Sequence, residues 1–206
     1  LLKAYQNNID IHALTAAKIF GKEPEQIIER ERSVGKTVNF GILYGISAHG
    51  LSEDLGITRM IAKEYIDSFY NGFSEVNVFF EKILENAREA GQVETLLGRI
   101  RQIPDINASK VLLKNAAERM AKNTVLQGSA ADLVKKAMIE TTVWLKENNL
   151  QTKLVLQIHD ELVFTVPEIE LESVTSKLKS IMEECVSLNI PLVCDVAIGD
   201  NLADLA

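Results

Sequence analysis

The stretch KLVLQIHDELVFTV, residues 153–166, constrains the fold more than any other part of the chain. It holds two apolar, strand-forming runs with only His159-Asp160 between them, so the two runs are expected to pair as a tight β-hairpin with that dipeptide at the turn. Charge is costly to bury without partners, so His159, Asp160 and Glu161 in the middle of such a run call for a reason. Downstream, Leu171, Val174, Leu178, Ile181, Met182 and Cys185 recur at helical spacing, which predicts an amphipathic helix within 168–187. PLVCDVAIG, 191–199, then reads as a third strand, with Pro191 tolerated at its start. Hairpin, covering helix and third strand make a small antiparallel α+β sandwich.

The rest of the chain has a different period. Residues 10–20 read as a helix stopped by Gly21, and Pro24 opens a stretch running through Tyr44 to Gly45. Ser47 and Thr58 are positioned to cap helices ending at Gly56 and Asn71-Gly72, and Ser74 to cap one stopped by Gly91. QVETLLGRIRQIP reads as a strand followed by an exposed basic loop, and 108–148 is helical again. Leu1-Leu2-Lys3 carries no initiator Met, so the chain is expected to be a piece of a longer protein. No apolar stretch approaches a membrane span, and Cys185 and Cys194 form no metal-ligand spacing, which suits reduced core thiols and a cytoplasmic setting.

Net charge is −7, which by itself argues against general affinity for polyanions. The charge is uneven, however: residues 92–122 are net +3 and residues 158–206 net −8. Local binding to a polyanion therefore stays open.

Three constellations carry chemistry. In RSVGKTVNFGILYG, 32–45, Arg32, Lys36, Phe40 and Tyr44 are four apart and share one helical face. Arg32 and Lys36 alone read as a solvated basic face. A glycine directly follows each aromatic, however, and Gly41 inside a helix costs about 1 kcal/mol relative to Ala, so something is expected to approach the backbone there. Two cations followed by two aromatics suit phosphates and then a sugar and base. In AAERMAKNTVLQGSAADL, Arg119, Asn123 and Gln127 are again four apart, with side chains able to bond base edges, while Gly128-Ser129-Ala130-Ala131 is a small-residue patch for helix packing. Asp160, at a hairpin turn, offers one hard-oxygen ligand for Mg²⁺. Of the other two histidines, His12 suits a partly buried, hydrogen-bonded role and His49 the surface.

These constellations, in this order, resemble the C-terminal part of a family A DNA polymerase of the bacterial DNA polymerase I type. RSVGKTVNFGILYG is similar to that family's fingers-helix motif and QIHDELVF to its palm motif; ETLLGRIRQIPD and ERMAKNTVLQGSAAD match as well, and the likeness runs from DIHALTAAKIFG onward. The resemblance implies a fingers subdomain over 1–120 and the C-terminal part of the palm over 121–206. It implies a role in DNA replication and repair, with primer–template DNA and deoxynucleoside triphosphates as partners and no membrane. Arg32 and Lys36 would hold the triphosphate, Phe40 would lie against sugar and base, and Tyr44 with Gly45 would guard the templating base. Arg119, Asn123, Gln127 and His159 would contact primer–template, with Arg99 and Arg101 on its backbone. Asp160 would be one of two metal-holding aspartates, with Glu161 beside it, and together with Lys36 these form the catalytic set. The reaction would be attack of a primer 3′-hydroxyl on the α-phosphate, with two Mg²⁺ ions.

The family's other metal aspartate sits in an Asp-Tyr-Ser-x-Ile-Glu-like motif that is absent from these 206 residues. The expectation is an incomplete enzyme, inactive alone, whose further partner is the N-terminal palm and thumb of the same polymerase. Two other readings compete. One is a module that grips nucleotide or DNA without catalysis. The other is a phosphohydrolase built on His159-Asp160, which lacks further metal ligands.

Overall fold

The computed structural model describes residues 1–7 and 9–205. The fold is α+β: helices dominate, joined by two small antiparallel hairpins. The chain divides into two compact units, Leu1–Ser129 and the remainder from Ala130.

The first unit contains α1 (Leu2–Gln6), α2 (Ile11–Phe20), α3 (Glu29–Leu43), α4 (Ala48–Leu55), α5 (Arg59–Gly72) and α6 (Ser74–Ala90). A hairpin of β1 (Gln92–Glu94) and β2 (Ile100–Gln102) follows, and then α7 (Val111–Glu147), which carries the boundary between the units. The helix ends are written in the sequence. Asp10 accepts from the backbone N–H groups of His12 and Ala13. Ser47 accepts from Gly50 and Thr58 from Ile61, while Gly21, Gly56 and Gly91 close helices in the left-handed conformation.

Two expected starts differ. Pro24 opens only a 3₁₀ turn, Pro24–Gln26; extended backbone at Ile27 and Ile28 separates it from α3. Ser74 is the first residue of α6 and makes no side-chain cap, because the chain turns one residue earlier, at Phe73. The expected basic loop is in part a strand: Arg101 pairs with Val93 in the β1–β2 ladder. The core is assembled from several helices, with Val38 and Ile42 of α3, Leu51 of α4, Phe69 of α5 and Phe80 of α6 all buried. Between α2 and α3 the backbones nearly touch; a Cβ on Gly35 would lie 2.2 Å from the His12 carbonyl oxygen.

The second unit contains the rest of α7, β3 (Lys153–Ile158), β4 (Glu161–Thr165) and α8 (Leu171–Glu184). The hairpin forms as the apolar pattern requires, with Ile158 opposite Glu161 and a bulge between Leu154 and Leu156. Glu170 accepts from the N–H groups of Gln151 and Thr152 and from the Thr152 hydroxyl, which ties the entry of β3 to the start of α8. Lys136 of α7 donates to the Cys185 carbonyl beyond α8, and Val174 and Leu178 fill the small core.

The expected third strand is not formed: residues 191–199 carry no ladder. The Cys194 N–H, which a ladder would use, donates instead to the Glu183 side chain on α8. Nor are the apolar residues of the hairpin all drawn into a core. Val155, Leu156 and Ile158 stay more than two-fifths exposed, as do Val196 and Ile198. Among the described residues no helix is long and apolar enough to cross a membrane.

Candidate nucleotide and nucleic-acid site

Four-residue spacing on α3 places Lys36 and Phe40 along one open cleft of ≈ 750 Å³, which Tyr44 and Gly45 continue beyond the helix end. Phe40 and Tyr44 stack with ring centroids 6.4 Å apart and planes within 12°, and both rings are more than two-fifths exposed. Such a pair offers a flat apolar surface beside the Lys36 ammonium.

Arg32, one turn before Lys36, is held from behind. Its Nε donates to Asp10 Oδ2 at 2.5 Å, and its Nη1 lies 3.6 Å from Glu29. Burial works upward on the Asp10 carboxyl, but the Arg32 hydrogen bond and the Ala13 and His12 N–H groups bring it below its ordinary value. Asp10 therefore caps α2 and orients Arg32 with the same carboxylate.

The two glycines have separate explanations. A Cβ on Gly41 would meet Ile46 Cγ2 at 2.8 Å, so the close approach expected from the sequence is made by the chain itself as it turns back after α3. Gly45 has φ +70°, and a Cβ there would lie 2.7 Å from Arg119 Cγ. The stem of Arg119 thus lies on the Gly45 backbone, and Arg119 joins the lining of the α3 cleft.

Arg119 begins the polar face of α7. Asn123 has its Oδ1 buried with no hydrogen-bond partner, and Gln127 is exposed. The β1–β2 hairpin is pinned beside this face. Arg101 donates to the Thr124 hydroxyl at 3.1 Å, and the Leu96 N–H to the Ser129 hydroxyl at 2.8 Å. A Cβ on Gly128 would strike Thr95 at 2.7 Å, so Gly128-Ser129 packs against the β1–β2 hairpin rather than against another helix. Arg99 and Arg101 are both exposed on this hairpin.

In the second unit, His159 and Asp160 form the two-residue turn between β3 and β4. His159 takes φ +53°, a left-handed conformation uncommon outside glycine, and its carbonyl accepts from the Gln157 side chain. His159, Asp160 and Glu161 are all exposed. Among the described residues no three His, Cys, Asp or Glu side chains gather to hold a metal.

His12 is partly buried and hydrogen-bonded, and His49 is exposed, 3.6 Å from Glu53. Three residues escaped the sequence reading: Asp10 as the partner of Arg32, Thr124 as the partner of Arg101, and Asn39 on the buried side of α3. Asp10 carried one signal, its N-cap position, but nothing in the sequence marks an ion pair across 22 residues.

The family model for DNA polymerase family A matches residues 1–204. DNA polymerase I of Streptococcus pneumoniae is 44% identical over 196 residues, 95% of this chain and 22% of that protein. The DNA polymerase I of Geobacillus stearothermophilus is 42% identical over 204 residues, 99% of this chain and 23% of that one. The chain thus spans less than a quarter of the length of these relatives. The POL domain of Pol1 from M. smegmatis, solved in complex with DNA primer-template and dNTP, matches with a TM-score of 0.88 at 33% identity, over 93% of this chain and 34% of that one. The chain belongs to DNA polymerase family A.

Proposed function

We propose that these residues are the fingers and the C-terminal part of the palm of a template-directed DNA polymerase that adds deoxynucleotides to a primer 3′ end. The fingers run over 1–120 and the palm over 121–206. The observation that carries the reading is the α3 face, where an ammonium and two stacked aromatic rings line a single cleft and a held guanidinium lies one helical turn before them. Arg32 and Lys36 bind the triphosphate, and Lys36 is placed to offset charge that builds on it during reaction. Phe40 covers the sugar and base, and Tyr44 with Gly45 borders the templating position.

Arg119, Asn123 and Gln127 meet the primer–template. The unpartnered Asn123 oxygen and the exposed Gln127 amide leave bonding capacity for a duplex. Arg99 and Arg101 reach its phosphates, and His159 the primer end. Asp160 gives an oxygen to Mg²⁺, with Glu161 as an accessory group. An exposed carboxylate at a hairpin tip suits one ligand position, but the described residues alone do not make a metal site. The remaining ligands belong to the N-terminal palm, and the ions would stabilise the attacking and leaving oxygens. That same part of the polymerase, with the thumb, is the partner we assign. The exposed Leu156 and Ile158 on β3 support a covering element of this kind.

The test is nucleotide incorporation by the full polymerase. Asp160→Ala is expected to abolish incorporation almost completely while primer–template binding persists. Near-normal incorporation by this variant would contradict the role given to Asp160. Phosphatase activity lost in Asp160→Ala but kept in Lys36→Ala would instead favour a hydrolase.

A further inference from the structure

Between α6 and α7 lies a polar hold that the proposed mechanism does not use. Arg88, in the last turn of α6, donates from Nη2 to Glu118 Oε1 on α7 at 2.8 Å. The Arg88 carbonyl accepts from the Asn107 side chain at 2.9 Å, so the same residue also ties down the loop that leads into α7. One turn further along α7, Lys122 lies over the Phe80 ring, 5.1 Å from its centroid. Phe80 stands nearer the start of α6 than Arg88, and Lys122 further along α7 than Glu118. The two contacts therefore pair the helices in the antiparallel sense.

Apolar packing alone fixes the rotation of α7 only weakly here. Its buried residues between 117 and 122 are Ala117 and Ala121, set in the same core as Phe80, Leu84 and Ala87. Alanines raise no ridges for a neighbouring helix to grip, so such a face turns more readily than one bearing large side chains. The Arg88–Glu118 and Lys122–Phe80 contacts supply that grip at two points along the helix. The guanidinium is held at a cost: its Nε is buried and, among the described residues, has no hydrogen-bond partner. A pair that leaves one charged donor unmatched is a poor source of stability, which points to orientation as its use.

Glu118 and Arg119 are neighbours, about 100° apart around the helix, so whatever turns Glu118 turns Arg119 with it. The stem of Arg119 lies on Gly45, where a Cβ would meet its Cγ at 2.7 Å. A turn of about 20° carries a group on the helix surface, about 5–6 Å from the axis, through about 2 Å, enough to take a hydrogen bond out of range. We propose that Arg88 is a positioning residue for the primer–template face of α7: through Glu118 it fixes the rotation at which Arg119, Asn123 and Gln127 meet the duplex. The effect on DNA rests on the primer–template reading of that face, and the hold itself does not.

The test uses the full polymerase and its affinity for primer–template, read by fluorescence anisotropy. Arg88→Met keeps the stem and removes the charge, and binding should weaken about tenfold; wild-type affinity would overturn the proposal. Arg88→Lys, which keeps the charge, should bind more tightly than Arg88→Met. Glu118→Gln should match Arg88→Met, and the two together should be no worse than either, because they break one contact. Losses that simply multiply would overturn the pairing. Should Arg88→Met not fold, Glu118→Gln takes its place in every comparison.

A merely structural role is separated by a background in which Arg119, Asn123 and Gln127 are all alanine. There Arg88→Met should have no further effect on affinity, while its cost in thermal unfolding stays the same. An equal loss of affinity in both backgrounds would refute positioning through this face. If the alanine background itself binds primer–template as wild type does, the DNA reading of α7 fails. The hold is then judged by the crystal structure of Arg88→Met, in which the Arg119 stem should have left Gly45; a stem still seated there would overturn it.

Discussion

Asp10 and Arg32 form an ion pair in which both side chains are more than a third exposed, so solvent screens it and it adds little to stability. Its value is geometric. Two substitutions separate the cap from the orientation. Asp10→Asn keeps a good N-cap and loses only the charge, whereas Asp10→Ala loses both and should cost about 1 kcal/mol more in urea unfolding. Equal costs would show that the cap contributes nothing. The pH dependence follows from the shifts. The Asp10 carboxyl lies below its ordinary value in the folded chain, so its contribution is complete above the usual carboxylate range and is lost as pH falls through the folded value. His12 is also held low, so the unfolded chain takes up a proton that the folded one refuses, and stability declines as pH drops through the ordinary histidine range. His12→Gln should flatten that decline in a stability–pH profile. Arg32, Lys36, Phe40 and Tyr44 were legible as one face because helical spacing alone puts them together. Asp10, Thr15 and Asn39 were not, because their contacts depend on how closely α2 and α3 approach.

That approach is set at the level of the helices. A Cβ on Gly35 would run into backbone, the His12 carbonyl at 2.2 Å and the Ala16 nitrogen at 2.9 Å, and neither can yield without moving α2. Gly35→Ala should therefore destabilise by about 1–3 kcal/mol despite the better helix propensity of alanine. Gly41→Ala meets only the Ile46 side chain, which can shift, so its packing cost is offset by about 1 kcal/mol of propensity. Chemical denaturation of the two variants checks the order; a Gly41→Ala cost equal to that of Gly35→Ala would contradict it. Helix ends were the most legible elements, since Ser47 and Thr58 cap by local geometry that a sequence displays. Residues 191–199 were misread because their apolar alternation reports only what a strand needs on its faces. Whether a strand forms depends on a neighbouring edge to bond to, and here the Cys194 N–H takes Glu183 instead. β2 was missed for the opposite reason: its three residues are all exposed, and the strand is set by pairing with β1 and by Arg101 on Thr124.

At the scale of the molecule, an acidic chain with net charge −7 carries its proposed DNA contacts on the locally basic stretch around α7. DNA binding by the 206 residues should accordingly be weak and fall steeply with added salt, which a fluorescence titration over a salt series would reveal. The same 206 residues should extend no primer, because among the described residues no three His, Cys, Asp or Glu side chains gather to hold a metal. The central claim is that the α3 face binds the incoming nucleotide, and the most direct measurement is single-turnover incorporation by the full polymerase as a function of dNTP concentration. Lys36→Ala should raise the half-saturating dNTP concentration about tenfold or more, the loss of one charge-assisted phosphate contact, with primer–template affinity unchanged. A dNTP dependence indistinguishable from wild type would contradict the account.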